Sequence, residues 1–441
     1  MGSITDSNAT DDFDQSQVVL RGGTDNTKIG NVGDRFKVDA AFSNSGNLPI
    51  YPADSLYQDA FGRSRVSTPK PIFNSLFTID KEPYKWDEVL TNGGTSTRNT
   101  NKSCVDMATT TASGSKVIRQ SRRSFLYITG LSKLTYQTFV FNAAKTGLRQ
   151  RIGAFDESQG VFLQQAGSTI SLVFRTSVSG SPADTTITQA NWNGDKLNGS
   201  GASGITLDLT KAQILFIDMQ WLGVGRVRVG FIINGIPVLV HSFLHSNIIT
   251  SVYTTTAKWH LRAEIENTAG AESASTMQHI CSSVIIEGDG IEIPGNERTA
   301  NNGITTRSMS AGNRTIVNAI RVKSTFQNTS ILPQDISILV TSSNDVLWEL
   351  ILDATINGGA WVSCSTIGEQ NITATSVTGG VVLSSGYIRN GSQVASQIIR
   401  ISQDIYLGHD ISDIADTFCI TVTPLASNGN CVASINYKEL Y

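Results

Sequence analysis

Charge is scarce in this 441-residue chain: Asp, Glu, Lys and Arg make up 16% of it, against about a quarter in ordinary globular proteins. The net charge is -3, so no overall attraction to nucleic acid or to an anionic membrane surface operates. No apolar run reaches the roughly 18 residues that a membrane-crossing helix needs, so no membrane insertion is expected. The five cysteines, Cys104, Cys281, Cys364, Cys419 and Cys431, are scattered and form no CxxC pair. That pattern favours reduced thiols in a protein made in a cytoplasm over a disulfide framework. The opening MGSITDSNATDDFDQ lacks the basic and apolar segments of a secretion signal and points the same way. Also missing are GxSxG, HExxH, the P-loop and a GxGxxG between strand and helix. Gly223-Val224-Gly225 is too short for a dinucleotide fingerprint and runs into a strand pattern. No cofactor is implied.

What the chain has in quantity is glycine, 39 residues of it, among polar positions that are mostly Ser, Thr and Asn. Such a mixture suits short strands joined by tight turns and is poor in strong helix formers. The fold class is therefore all-β, and the clearest stretch runs from Lys211 to His245. Leu215, Ile217, Met219 and Trp221 alternate with Asp218 and Gln220. Val227, Val229, Phe231 and Ile233 oppose Arg226, Arg228 and Gly230. Asn234-Gly235 is a two-residue hairpin turn, after which Ile236, Val238 and Val240 oppose Leu239, His241 and Phe243. Three antiparallel strands at the centre of a β-sandwich follow.

Four segments are expected. Residues 1–45 form an N-terminal arm with two short strands, Val18–Arg21 and Arg35–Asp39, around a turn-rich loop. So short a segment cannot bury a core of its own and needs a partner surface or an edge of the next domain. Its apolar contacts would come from Val18, Val19, Leu20, Ile29, Val32, Phe36 and Val38, with Arg21 beside them. Residues 46–290 form the main jelly-roll sandwich, opening with a Pro- and aromatic-rich extended stretch over Asp59–Val89 in which proline disfavours a central strand. Residues 291–312 form a linker, and residues 313–441 a smaller C-terminal sandwich. A single helical turn is expected at Thr210–Gln213.

Three constellations are candidates for chemistry. Glu264 and Glu266 lie two apart on one strand, so their carboxylates project from one face about 7 Å apart, a spacing compatible with inverting glycoside hydrolysis. Two surface glutamates of a sheet would read the same way, and Thr268 stands where a third acid would be. His241 and His245 share a strand face as a conceivable metal pair, without a visible third ligand; core or interface packing is the alternative. Arg119, Arg122 and Arg123, with Lys145, Arg149 and Arg151 further on, form a basic concentration that could contact an anionic partner or simply alternate as solvent-facing strand positions. Its scattered spacing lacks the continuous patch and stacking aromatics of a nucleic-acid site.

Several long strings in order carry a resemblance: DAFGRSRVS (Asp59–Ser67), GLRQRIGAFDESQGVF (Gly147–Phe162), WNGDKLNGSGASGITLDLTKAQILFID (Trp192–Asp218), WLGVGRVRVGF (Trp221–Phe231) and MQHICSSVIIEG (Met277–Gly288). They resemble a family of virion structural proteins of tailed bacteriophages, over residues 18–290 and less closely beyond. The arm VVLRGGTDNTKIGNVGDRFKVD (Val18–Asp39) is similar to a segment near the start of phage tail and fibre proteins. Ser64 departs from the Leu expected there, which would loosen local packing. The resemblance implies a concanavalin-like jelly roll, localisation in the virion, other virion proteins as partners and a homo-oligomer, with a trimer favoured. It implies no enzyme. A tail, baseplate or fibre component is the leading expectation. A capsid decoration or head fibre is the alternative, and recognition of a host-surface glycan another.

Overall fold

The computed structural model describes residues 58–440 apart from 126, 270–272, 289–294, 390–395 and 402–404. The chain divides into two units, Met1–Gln58 and Asp59–Tyr441, and both sandwiches belong to the second. The arm residues from Val18 to Val38 lie outside the described residues.

Among the described residues the main sandwich contains β1 (Pro69–Leu76), β2 (Trp86–Thr91), β3 (Thr95–Asn99), β4 (Cys104–Thr109), β5 (Lys116–Ser121), β6 (Lys133–Val140), β7 (Leu148–Phe155), β8 (Gly160–Ala166), β9 (Thr169–Thr176), β10 (Ala183–Thr188), β11 (Gln213–Met219), β12 (Val227–Ile233), β13 (Ile236–Phe243), β14 (Leu261–Asn267) and β15 (Ser275–Glu287). They form an eight-stranded sheet, β13-β12-β11-β6-β15-β4-β3 with β1 also on β15, and a seven-stranded sheet, β10-β9-β8-β7-β14-β5-β2. Every pairing is antiparallel; for example, β11 pairs both β6 and β12. Alternation buries one face of each sheet against the other: Ile152, Leu163 and Leu172 meet Leu215, Val229 and Met277 in one core. The fold is the expected all-β jelly roll of the concanavalin type.

The three-strand meander is where alternation placed it, and Asn234 and Gly235 both take positive φ at its turn. One detail differs. The pairing of β12 with β13 slips between Val229 and Gly230, leaving Val240 as the extra residue of a bulge. A bulge reverses the face sequence beyond it, so Val240 and Phe243, expected on opposite faces, both enter the core. Gly230 is obligatory: a Cβ there would lie 2.2 Å from the Val238 carbonyl and 2.5 Å from the Phe216 ring.

The Pro-rich stretch supplies an edge strand, β1, with a bulge between Pro71 and Phe73, where the missing amides cost least. Ser64 is exposed, so its departure from Leu loosens nothing. The expected helical turn at Thr210–Gln213 is a plain turn leading into β11, whereas a 3-10 turn occupies Gln189–Asn191.

The smaller sandwich contains β16 (Asn296–Asn301), β17 (Arg307–Met309), β18 (Thr315–Val322), β19 (Ser330–Val340), β20 (Val346–Asn357), β21 (Val362–Ser363), β22 (Gly368–Asn371), β23 (Ser376–Ile388), β24 (Ser396–Arg400), β25 (Thr417–Pro424) and β26 (Gly429–Leu440). Its sheets run β16-β26-β19-β24, with β17 also on β26, and β21-β22-β18-β25-β20-β23. Ile320, Ile336, Ile338, Phe418 and Ile435 are central to its separate core. The expected linker 291–312 is corrected by this pairing: β16 and β17 are strands of the second sandwich, joined in register to β26.

Candidate functional site

Charged side chains do much of the joining in this molecule, and the sequence candidates fall among them. On the outer face of the eight-stranded sheet, the segment after Asp59 is pinned by a buried cluster. Arg65 and Arg228 both donate to Asp218 Oδ2, at 2.6 and 2.5 Å, and Arg65 also binds Glu287. Ser132 donates to the other Asp218 oxygen. The DAFGRSRVS string is thus structural cement for that face.

The outer face of the seven-stranded sheet holds Glu264 and Glu266. Glu264 accepts from Arg262 at 2.5 Å and Arg151 at 3.3 Å, and Glu266 pairs with Arg149. Arg175 grips Asp184 at 2.8 Å. Beneath these guanidiniums lie Phe155 and Phe162, fully buried with ring centroids 4.2 Å apart. Arg151 and Arg175 cover Phe162, and Arg262 covers Phe155, at 5.1 to 5.5 Å. The two carboxylates do share a face, as their spacing required, but each is held in ion pairs within a closed lattice.

His241 and His245 are held apart in separate contacts. His241 Nδ1 accepts from the Asn193 amide, and burial lowers its pKa to about 4. His245 Nδ1 lies 2.6 Å from the Gly225 carbonyl oxygen, and its ring stacks on Tyr253. Among the described residues no group of three His, Cys, Asp or Glu side chains is placed to hold a metal ion. All five cysteines carry free thiols, with Cys104, Cys419 and Cys431 buried.

The arginines expected as contacts for an anionic partner are corrected. Arg119 is fully buried, bound to Glu88 and to the Lys81 carbonyl at 2.9 Å, with its guanidinium 5.0 Å from the Phe77 ring centroid. Neither solvent nor a partner reaches it. Arg122 points across the junction between the sandwiches. It binds Asp353 at 2.6 Å, Asp416, and Asp87 at 3.4 Å. Burial favours discharging this guanidinium, but the three carboxylates outweigh burial and keep it charged. Arg123 lies 3.5 Å over the Tyr406 ring and donates to the Ile72 carbonyl.

Around Arg122 opens a cavity of about 450 Å³, with Phe73, Tyr84 and Arg123 on the main sandwich and Leu352, Asp353 and Tyr406 on the smaller one. The open edge of β1 floors it, and its carbonyls are already capped: Ile72 by Arg123, Asn74 by Lys85 at 2.9 Å. Asp353 reaches the cavity from β20. The pairing with β23 shifts between Leu350 and Ile351 and then runs unbroken from Leu352 with Val381 to Ala354 with Gly379, and between these two Asp353 sits at φ 55. A left-handed non-glycine residue costs of order 1–3 kcal/mol, a strain that aims this carboxylate at Arg122 and at the opening. Burial, opposed by Arg122 and reinforced by Asp410 and Asp416, raises the Asp87 pKa to about 7. Burial likewise raises Asp416. Asp87 also accepts the Ile411 amide, and Lys258 donates to the carbonyls of Asn328 and Leu440, so the junction is closed from both sides. Sequence reading missed this site because its residues come from segments hundreds of positions apart.

No protein-family model and no curated protein matches the chain. Solved structures do, in fold. A Bacillus licheniformis β-glucanase is 9% identical, with 49% of this chain covering 97% of that one at a TM-score of 0.32. A legume lectin-like domain from Entamoeba histolytica is 10% identical, with 49% and 97% covered at 0.30. A glycoside hydrolase family protein from Mycobacterium thermorestibile is 10% identical, with 48% and 99% covered at 0.34. The expectation that the chain is no enzyme is corrected by this finding. The fold it shares belongs to hydrolases as well as lectins, and gives no ground for excluding catalysis.

Proposed function

We propose that this protein is a structural component of a tailed-bacteriophage virion, in the tail, baseplate or fibre apparatus, and that it recognises a glycan on the host surface. The observation that carries the recognition half is the cavity between the sandwiches. It is concave, partly aromatic and furnished with a few convergent polar groups, the usual make-up of a small-ligand site. The virion half rests on the strings Asp59–Ser67, Gly147–Phe162, Trp192–Asp218, Trp221–Phe231 and Met277–Gly288. In this reading residues 1–45 attach the protein to other virion proteins or to copies of itself, as a trimer.

Two measurements test the two halves separately. Quantitative gels of purified particles should give a stoichiometry far below that of the major capsid protein; a near-equimolar value favours a capsid decoration, and absence from particles contradicts the virion reading. Pre-incubating host cells with the purified full chain should block phage adsorption. Unchanged adsorption at saturating protein contradicts recognition.

A further inference from the structure

We infer that the cavity between the sandwiches takes a neutral saccharide and discriminates against acidic ones, an inference that rests on the glycan-recognition reading above. Aromatic rings are the surfaces on which the C–H face of a sugar ring stacks, and Tyr84 offers one that is 57% exposed at the rim. Phe73 and Tyr406, both half-buried, extend that wall. For hydroxyl groups the cavity provides the Asp353 carboxylate. One of its oxygens is fixed by Arg122 at 2.6 Å, while the side chain stays 26% exposed. Held in place by its left-handed backbone and by Arg122, that carboxylate is preorganised as an acceptor, so little ordering cost remains on binding.

The exclusion of acidic sugars follows from how the cations are engaged. Arg122 already faces three carboxylates. Lys85 binds Glu82 and the Asn74 carbonyl, each at 2.9 Å. Arg123 stacks on Tyr406 and donates to Ile72. Around these three cations stand Glu82, Asp87, Asp353, Asp410 and Asp416. A uronic or sialic carboxylate entering here meets like charge and finds its natural partners occupied, which costs affinity.

The test is calorimetric titration of the full chain with neutral oligosaccharides (linear glucans and galactans) and acidic ones (oligogalacturonate and sialyllactose), in parallel with Tyr84→Ala and Asp353→Asn. Tyr84 is exposed, so its truncation leaves the thermal midpoint unchanged and reports on binding alone. The inference predicts binding of at least one neutral series, at least tenfold weaker in Tyr84→Ala, with acidic sugars bound at least tenfold more weakly than neutral ones. Neutral binding that neither variant weakens overturns the site while leaving glycan recognition standing. Acidic sugars bound more tightly, with loss in Tyr84→Ala, overturn the ligand class alone. No binding to any series, together with unblocked adsorption, removes the recognition reading itself.

Discussion

Single residues in this chain are constrained mostly by charge and by close backbone approach. Asp218 has no exposed surface and carries both Arg65 and Arg228. Removing its charge breaks a buried ion pair with each of two guanidiniums, which costs about 3–5 kcal/mol. Asp218→Asn is therefore expected to lower the denaturant midpoint strongly, while Glu266→Gln, whose partner Arg149 is a third exposed, shifts it by less than about 1 kcal/mol. Gly230→Ala is predicted to cost about 1–3 kcal/mol by overpacking against Phe216 and the Val238 carbonyl, read from the same unfolding curves. Residue identities of this kind were only half legible. Gly230 stood in a strand where glycine signals close approach, but nothing local told that Arg119 points into the core while Arg122 leaves the domain. Arg122 finds Asp353 and Asp416 across 231 and 294 positions, a distance over which no sequence pattern carries information.

Elements were more legible than their edges. Strict alternation and the Asn234-Gly235 turn marked β11, β12 and β13 unambiguously, because a half-buried strand must alternate. The bulge at Val240 was invisible, since it is decided by pairing with β12 and not by the residues of β13 themselves. β16 and β17 were hidden for another reason: NERTAN and RSM each send a single residue, Ala300 or Met309, into the core, so they carry no apolar period, and pairing with β26 defines them. The junction between the two sandwiches carries a pH response of its own. Asp87 ionises near 3.8 when unfolded and at about 7 in the folded chain. Its stabilising contribution is therefore present below about pH 4 and is lost as pH rises through about 7. The histidines, whose pKa values burial lowers, add stability as pH rises, so Asp87 is read by difference: in chemical denaturation between pH 4 and 8 the stability of the wild type relative to Asp87→Asn should fall as pH rises. A slope unchanged by the substitution would place the titration elsewhere. Asp416 is shifted in the same direction.

At the scale of the whole molecule, a jelly-roll sandwich and a smaller β-sandwich are fastened by Arg122 and Lys258 so that a cavity opens between them. All-β class and two sandwiches were readable from composition and turn spacing; the cavity was not, because it exists only where β1, β20 and the residues around Tyr406 converge. The carboxylate pair and the histidine pair that the sequence offered as chemistry are absorbed by ion pairs and ring packing. The proposed recognition therefore falls to the space between the sandwiches, away from the outer face of the seven-stranded sheet. Hydrogen–deuterium exchange of the full chain, with and without a saturating neutral oligosaccharide, tests that assignment most directly. Slower exchange is predicted in peptides covering residues 70–76, 350–354 and 405–408, from both sandwiches at once. Protection confined to residues 149–155 and 261–267 would contradict it and return the site to the arginine–glutamate lattice.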